Sequence, residues 1–264
     1  MPYIKEVCIA GKILEVRKYH TARYNMAGEK RGRKIKASCE SQKRVNEREA
    51  VRKLARKMNA NFDDDSGMLV TLTYMPGKRP KTSVQMGDDM RNFLKKLRKL
   101  FKAGSTELKY IYVKELGKRG AAHIHILMSA CDVRELNKCW DKGFVRADAL
   151  YSDGDYTNIA KYFVKYAEKT EETEGKLIGK RWNSSRNLKE PVIIKSVVNA
   201  NTFNKGIREH KGYVLDPDTV KSGYTEFGYK YLSYKMRKAA PVQQVYKLKK
   251  APRRKQELQR AGAE

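Results

Sequence analysis

Three apolar runs of strand length constrain the fold more than anything else in the chain: Met68-Leu-Val-Thr-Leu-Thr-Tyr74, residues 109–116 and residues 122–128. The first is rich in β-formers and stops at Pro76-Gly77, which predicts a central strand. Residues 88–102 follow with Phe93, Leu94, Leu97, Leu100 and Phe101 on one stripe and Arg91, Lys95, Lys96, Arg98 and Lys99 off it. That spacing predicts a helix packed on the first strand. Between the second and third runs the glycine-bounded turn Gly117-Lys118-Arg119-Gly120 allows little more than a tight reversal, so those two strands are antiparallel neighbours. A short helix over 132–138, a short strand over 143–147 and a helix over 156–169 complete the order β-α-β-β-α-β-α. The expected fold is α+β: a split βαβ antiparallel sheet with helices on one face, plus basic N- and C-terminal extensions.

The extensions carry weaker signals. Residues 3–9 and 12–17 alternate and meet at Ala10-Gly11, which predicts a hairpin, and residues 23–36 form a basic loop. Over residues 38–59, Val51, Leu54, Ala55 and Met58 fall at i, i+3, i+4 and i+7, an amphipathic helix with Ser38 or Ser41 as its N-cap. Beyond residue 170, strands are expected over 192–198 and 225–235, and a charged, mobile tail over 247–264. The chain therefore divides into 1–61, a basic hairpin and helix; 62–170, the split βαβ domain; and 171–264, a basic C-terminal region.

Charge narrows the partner. Lys and Arg number 58 against 30 Asp and Glu, a formal charge of +28, and such an excess favours a polyanion, nucleic acid ahead of an anionic membrane surface. Residues 1–61 hold 17 basic and 6 acidic side chains, 62–170 hold 20 and 14, and 171–264 hold 21 and 10. The two flanks are thus the parts expected to grip a nucleic-acid backbone. No window approaches ~18 consecutive apolar residues and the start has no signal-peptide core, so no membrane partner and an intracellular location are expected. Cys8, Cys39, Cys131 and Cys139 show no paired spacing and are expected as reduced thiols.

Two constellations carry chemistry. In His123-Ile-His125, period-two alternation puts both imidazoles on one strand face, and Glu115 lies across the tight hairpin, nearly opposite His123 in one register. Two imidazoles and a carboxylate make a three-ligand site with open positions. Tyr162-Phe-Val-Lys165-Tyr166-Ala-Glu-Lys169 stacks two phenols one helical turn apart, with Lys165 and Lys169 on a neighbouring line. A phenol has a pKa near ~10, so as a nucleophile it needs a nearby cation or metal. Tyr162 and Tyr166 also lie on the stripe of Ile159 and Phe163, which fits an aromatic core equally well.

In this order the runs MLVTLTY, MRNFLKKLRK, YIYVKELG, AAHIHILM and AKYFVKYAEK resemble the HUH-superfamily rolling-circle replication initiators of plasmids and small single-stranded DNA phages. The resemblance covers about residues 68–170, and Ser185-Arg186-Asn187-Leu188-Lys189-Glu190-Pro191 is similar to a downstream stretch of the same proteins. It implies His123 and His125 as metal ligands, Glu115 as the third, and Tyr162 and Tyr166 as nucleophiles, with Lys165 and Lys169 beside them. Single-tyrosine members exist, so one of the two phenols would suffice there. The family nicks single-stranded DNA at a hairpin origin, forms a 5′-phosphotyrosine and leaves a 3′-OH that primes replication. It implies Mn²⁺ or Mg²⁺ as cofactor, a host helicase and polymerase as partners, and the cytoplasm of a bacterial host. Lys118, Arg119, Arg186 and Asn187 are the candidate DNA contacts. Transesterification conserves bond energy and needs no ATP, in keeping with Gly175-Lys-Leu-Ile-Gly179-Lys180-Arg181, one residue short of a phosphate-binding loop. Transposases and relaxases of the same superfamily share this chemistry in other domain contexts. A non-catalytic basic binding module is the remaining alternative, and it leaves Glu115, His123 and His125 unexplained on a surface meant to stack bases.

Overall fold

The computed structural model describes residues 2–21, 39–116, 122–174 and 181–239, and the alternating runs within them fold into two antiparallel five-stranded sheets. The N-terminal hairpin is β1 (Tyr3–Ala10) and β2 (Ile13–His20), followed by α1 (Glu40–Asn59). The central region runs β3 (Gly67–Thr73), α2 (Ser83–Ala103), β4 (Tyr110–Leu116), β5 (Ala122–Ser129), α3 (Val133–Cys139), β6 (Val145–Ala149) and α4 (Thr157–Glu174). The C-terminal strands are β7 (Asn183–Ser184), β8 (Val192–Val198), β9 (Tyr213–Tyr224) and β10 (Lys230–Lys238). The basic loop 23–36, Ser38, the turn bearing Lys118 and Arg119, the glycine-lysine run at 175–180 and the tail 247–264 lie outside the described residues.

The central sheet has the order β6-β3-β5-β4-β7. Strand β5 lies between β3 and β4 and is antiparallel to both, so β3, α2 and β4 form a βαβ unit split by an inserted strand, as the sequence predicts. The α+β class is borne out, and one detail differs: helices cover both faces of this sheet, not one. Met68, Val70, Leu72, Ile124 and Ile126 pack with α2 and α3, while Ile111, Val113 and Leu127 pack with α1 and α4. Strands β4 and β5 carry apolar residues on both faces, and a sheet face that is apolar must be covered.

The second sheet has the order β8-β1-β2-β10-β9, so the segments read as N- and C-terminal extensions meet in one sheet. Its inner face meets α1 through a buried ionic cluster. Arg56 Nε donates to Glu15 Oε2 and its Nη2 to Glu6 Oε1, both at 2.7 Å. The same sheet is tied to α4: Lys235 Nζ donates to Asp155 Oδ2 at 2.7 Å and to Thr157 Oγ1 at 2.6 Å, at the first residue of that helix. Helix α1 buries Leu54, Ala55 and Met58 as its spacing predicts, but Ser41 lies inside it and the N-cap is Cys39, with no side-chain cap. Helix α2 begins at Ser83 instead of residue 88, because the Thr82 side chain caps it by accepting from the Gln85 N–H. The strand expected over 225–235 is divided by a turn at Thr225, where Gly228 has φ +75, and β10 begins at Lys230.

The β1–β2 turn rests on the end of α1. Gly11 has φ +57, and a Cβ there would stand 2.0 Å from the Asn59 carbonyl oxygen. Gly11→Ala adds the left-handed penalty of ~1–2 kcal/mol to a backbone clash. A fall in melting temperature of several degrees is expected by calorimetry, at ~2–4 °C per kcal/mol for a chain of this class.

Candidate active site

Alternation along β5 sends Ile124 and Ile126 into the core beneath α2, and His123 and His125 to the opposite face, under α4. The β4–β5 register places Glu115 directly opposite His123. Glu115 Oε2 lies 3.0 Å from His125 Nε2, and each of these side chains is 13% exposed. On the other flank, β3 sets Thr71 opposite His125, with Thr71 Oγ1 3.2 Å from His125 Nδ1. One ring nitrogen of His125 thus meets a carboxylate and the other a hydroxyl, which fixes the plane of the ring. Thr71 was not among the predicted residues. Its signal was present in MLVTLTY, where Thr71 and Thr73 interrupt the apolar run on the histidine side.

Helix α4 closes this face. Its buried stripe is Ala160, Phe163, Val164 and Ala167, all at most 1% exposed. Tyr162 and Tyr166 lie on the flank of that stripe, one turn apart. The Tyr166 ring stacks on His125 with centroids 4.1 Å apart and planes 13° from parallel. The Tyr162 ring stands 6.2 Å from Tyr166 and is 57% exposed, so the reading of Tyr162 as core aromatic does not hold. Lys165 is exposed on the same helix, while the side chain of Lys169 lies outside the described ones. A rival phenol, Tyr156, is fully buried and donates to Asp64 Oδ1 at 2.9 Å. Burial, with Asp64 behind it, pushes that phenol far above the usual tyrosine range. Tyr156 is therefore a structural anchor.

The structure brings together Glu115, His123, His125, Tyr166 and Tyr162. It does not bring Arg186 and Asn187 to them. Strand β7 and the residues after it pair with the start of β4, where Ser185 N donates to the Tyr110 carbonyl. Asn187 Nδ2 donates to Glu107 Oε1 and to the Leu108 carbonyl, both at 3.0 Å, and Arg186 is exposed. Five residues of strand separate Tyr110 from Glu115, ~17 Å at the usual rise. Asn187 holds this segment to the sheet edge.

The donor set, two imidazoles and a carboxylate on one face, has the mixed nitrogen and oxygen chemistry of a borderline divalent transition-metal site, with the carboxylate the donor that suits Mn²⁺ or Mg²⁺. Among the described residues no group of three His, Cys, Asp or Glu side chains is arranged so as to hold a metal ion; Glu115 is instead hydrogen-bonded to His125. No helix of the described residues is long and apolar enough to cross a membrane. No curated protein and no solved structure matches the chain. The stretch that holds this site, residues 67–171, matches the family model of the replication-associated protein ORF2/G2P.

Proposed function

We propose that the chain initiates rolling-circle replication by nicking and rejoining single-stranded origin DNA through a tyrosine ester. The observation that carries this reading is the stack of Tyr166 on His125, whose edge meets Glu115, beneath a helix that presents a second phenol. In the proposed reaction the phenol oxygen of Tyr166 or Tyr162 bonds to phosphorus as the bond to the 3′ oxygen breaks. The proton lost by the phenol is balanced by the one gained at the 3′-OH, and the 5′ end remains esterified to the enzyme. Attack by a 3′-OH on that ester reverses the step and reseals a strand without ATP. Packing of α4 on the sheet through Phe163 and Val164 fixes the phenols relative to the histidines, which supplies the alignment an in-line displacement needs. Lys165, exposed on the same helix, would favour the phenolate.

Glu115, His123 and His125 would hold a divalent cation, and loading requires the Glu115–His125 hydrogen bond to give way. Mn²⁺ or Mg²⁺ bound there supplies positive charge against the charge that builds on the phosphate oxygens. The test is incubation with single-stranded origin DNA and Mn²⁺, followed by a denaturing gel. A covalent adduct is expected, abolished by chelator and by His123→Ala or His125→Ala, while DNA binding by both variants survives. Full nicking by the double histidine variant would remove these residues from the reaction.

A further inference from the structure

We propose that the outer face of the second sheet, at the end formed by Tyr3, His20 and the β9–β10 hairpin, binds the unpaired bases and phosphates of single-stranded DNA. This rests on the reading of the chain as one that acts on DNA, and it places a binding surface outside the candidate active site.

Register lines up two rows on this face. The first runs Val198, Tyr3 and His20 across β8, β1 and β2, and the β10–β9 pair Lys230 and Tyr224 continues it. The second runs Ser196, Lys5, Lys18, Leu232 and Ser222 across all five strands. Around Tyr3 and His20 of the first row four rings are in contact. Phe203 meets Tyr3 edge-on at 5.1 Å, Tyr3 meets His20 at 5.6 Å, and His20 stacks on Tyr229 at 3.6 Å with planes 2° apart. Lys230 Nζ lies 5.9 Å from the centre of the Tyr224 ring. At the hairpin tip the rings turn to solvent: Tyr224 is 65% exposed and Phe227 83%. Large aromatics left in water on a hairpin contribute nothing to the core, and exposed flat rings accept bases of any identity.

In the second row Lys5 is the half-buried cation, while Lys18 and Leu232 are buried where Phe203 and Ile207 cover the middle of this face. Lys5 and Lys18 stand directly opposite each other, an arrangement that is unfavourable in a sheet without a counter-ion, and among the described residues neither has an acidic partner. Lys18 is buried and its ammonium donates to the Thr202 carbonyl at 2.7 Å. Burial, then Lys5 and Arg208, hold Lys18 below the usual lysine range, and burial with Lys5 does the same to His210. A phosphate beside Lys5 and Arg208 relieves this crowding. By contrast, the acidic residues Glu6 and Glu15 lie on the inner face, bonded to Arg56. Cations without acidic partners and aromatic surface therefore coincide at this end of the outer face, as in sheets that stack single strands.

The test uses the full chain and a labelled oligo-dT that lacks any origin sequence, read by fluorescence anisotropy over a salt series. Tyr224→Ala with Phe227→Ala, both at exposed positions, is expected to weaken binding about tenfold or more, since each stacked base contributes ~1–3 kcal/mol. Lys5→Gln is expected to reduce the salt slope by about 0.7, the loss of one phosphate contact. Unchanged affinity and slope in both surface variants would overturn the proposal, even if the origin adduct forms. Loss of binding in them, in a chain that never forms an adduct, would support the surface while refuting the nicking mechanism.

Discussion

A chain carrying Tyr162→Phe and Tyr166→Phe together is expected to form no covalent adduct with single-stranded DNA, at any metal concentration. Phenylalanine keeps the ring that stacks on His125 and removes only the oxygen, so the loss reads on chemistry and not on folding. Each single variant is expected to impair strand transfer while the remaining phenol still forms an adduct, because both rings occupy the flank of one helix. Tyr166→Phe is expected to cost more, since its ring is the one against the histidines. Gel quantification of adduct across the three variants checks this order.

Arg56→Ala is expected to give the largest loss of stability among single changes. Its guanidinium is 11% exposed and bridges two carboxylates that are 5% and 11% exposed. Removal strands both charges between α1 and the second sheet, and breaking a buried ion pair costs about 3–5 kcal/mol. Arg17, Lys195 and Arg52 stand 3.3 to 3.5 Å from Glu6 or Glu15 and soften the loss, so about 3 kcal/mol is expected by denaturant titration. The same cluster sets an acid limit. Burial alone would raise the Glu6 carboxyl, but Arg56, aided by Arg17 and Lys195, outweighs it and holds the group below the usual range. Asp155 is likewise lowered, with Lys235 and Thr157 outweighing its burial. A depressed carboxylate contributes its full stability above the unfolded pKa, near ~4, and loses it as pH falls through the folded value. The parent chain is therefore expected to lose stability below about pH 4, and Arg56→Ala to show a weaker dependence there.

The candidate site was legible because its signals are local. The period-two rule fixes the faces of His123, Ile124 and His125, a tight hairpin brings Glu115 opposite His123, and the i, i+4 rule stacks Tyr162 on Tyr166. Burial was not legible, since the stripe of α4 that enters the core is decided by α1 and the sheet. Only their placement leaves Tyr162 outside while Phe163 goes in. The second sheet was harder still, as β1 pairs with β8 and β2 with β10, strands roughly two hundred residues away. Strand β9 hides itself: Asp216-Pro217-Asp218 reads as a turn, yet the register passes from Asp216 opposite Lys235 to Lys221 opposite Ser233. The residues between form a bulge, where proline is tolerated inside a strand. Arg56 gave no signal at all. A basic residue on an amphipathic helix looks solvated until the glutamates of another segment are placed beside it.

The most direct test of the account is to digest the DNA-linked protein and locate the modified residue by mass spectrometry. The nucleotide is expected on the peptide of α4, esterified to Tyr166 or Tyr162. An ester on any other residue, Tyr156 included, or an adduct that persists in the double phenylalanine variant, would contradict the assignment of this helix as the nucleophile carrier.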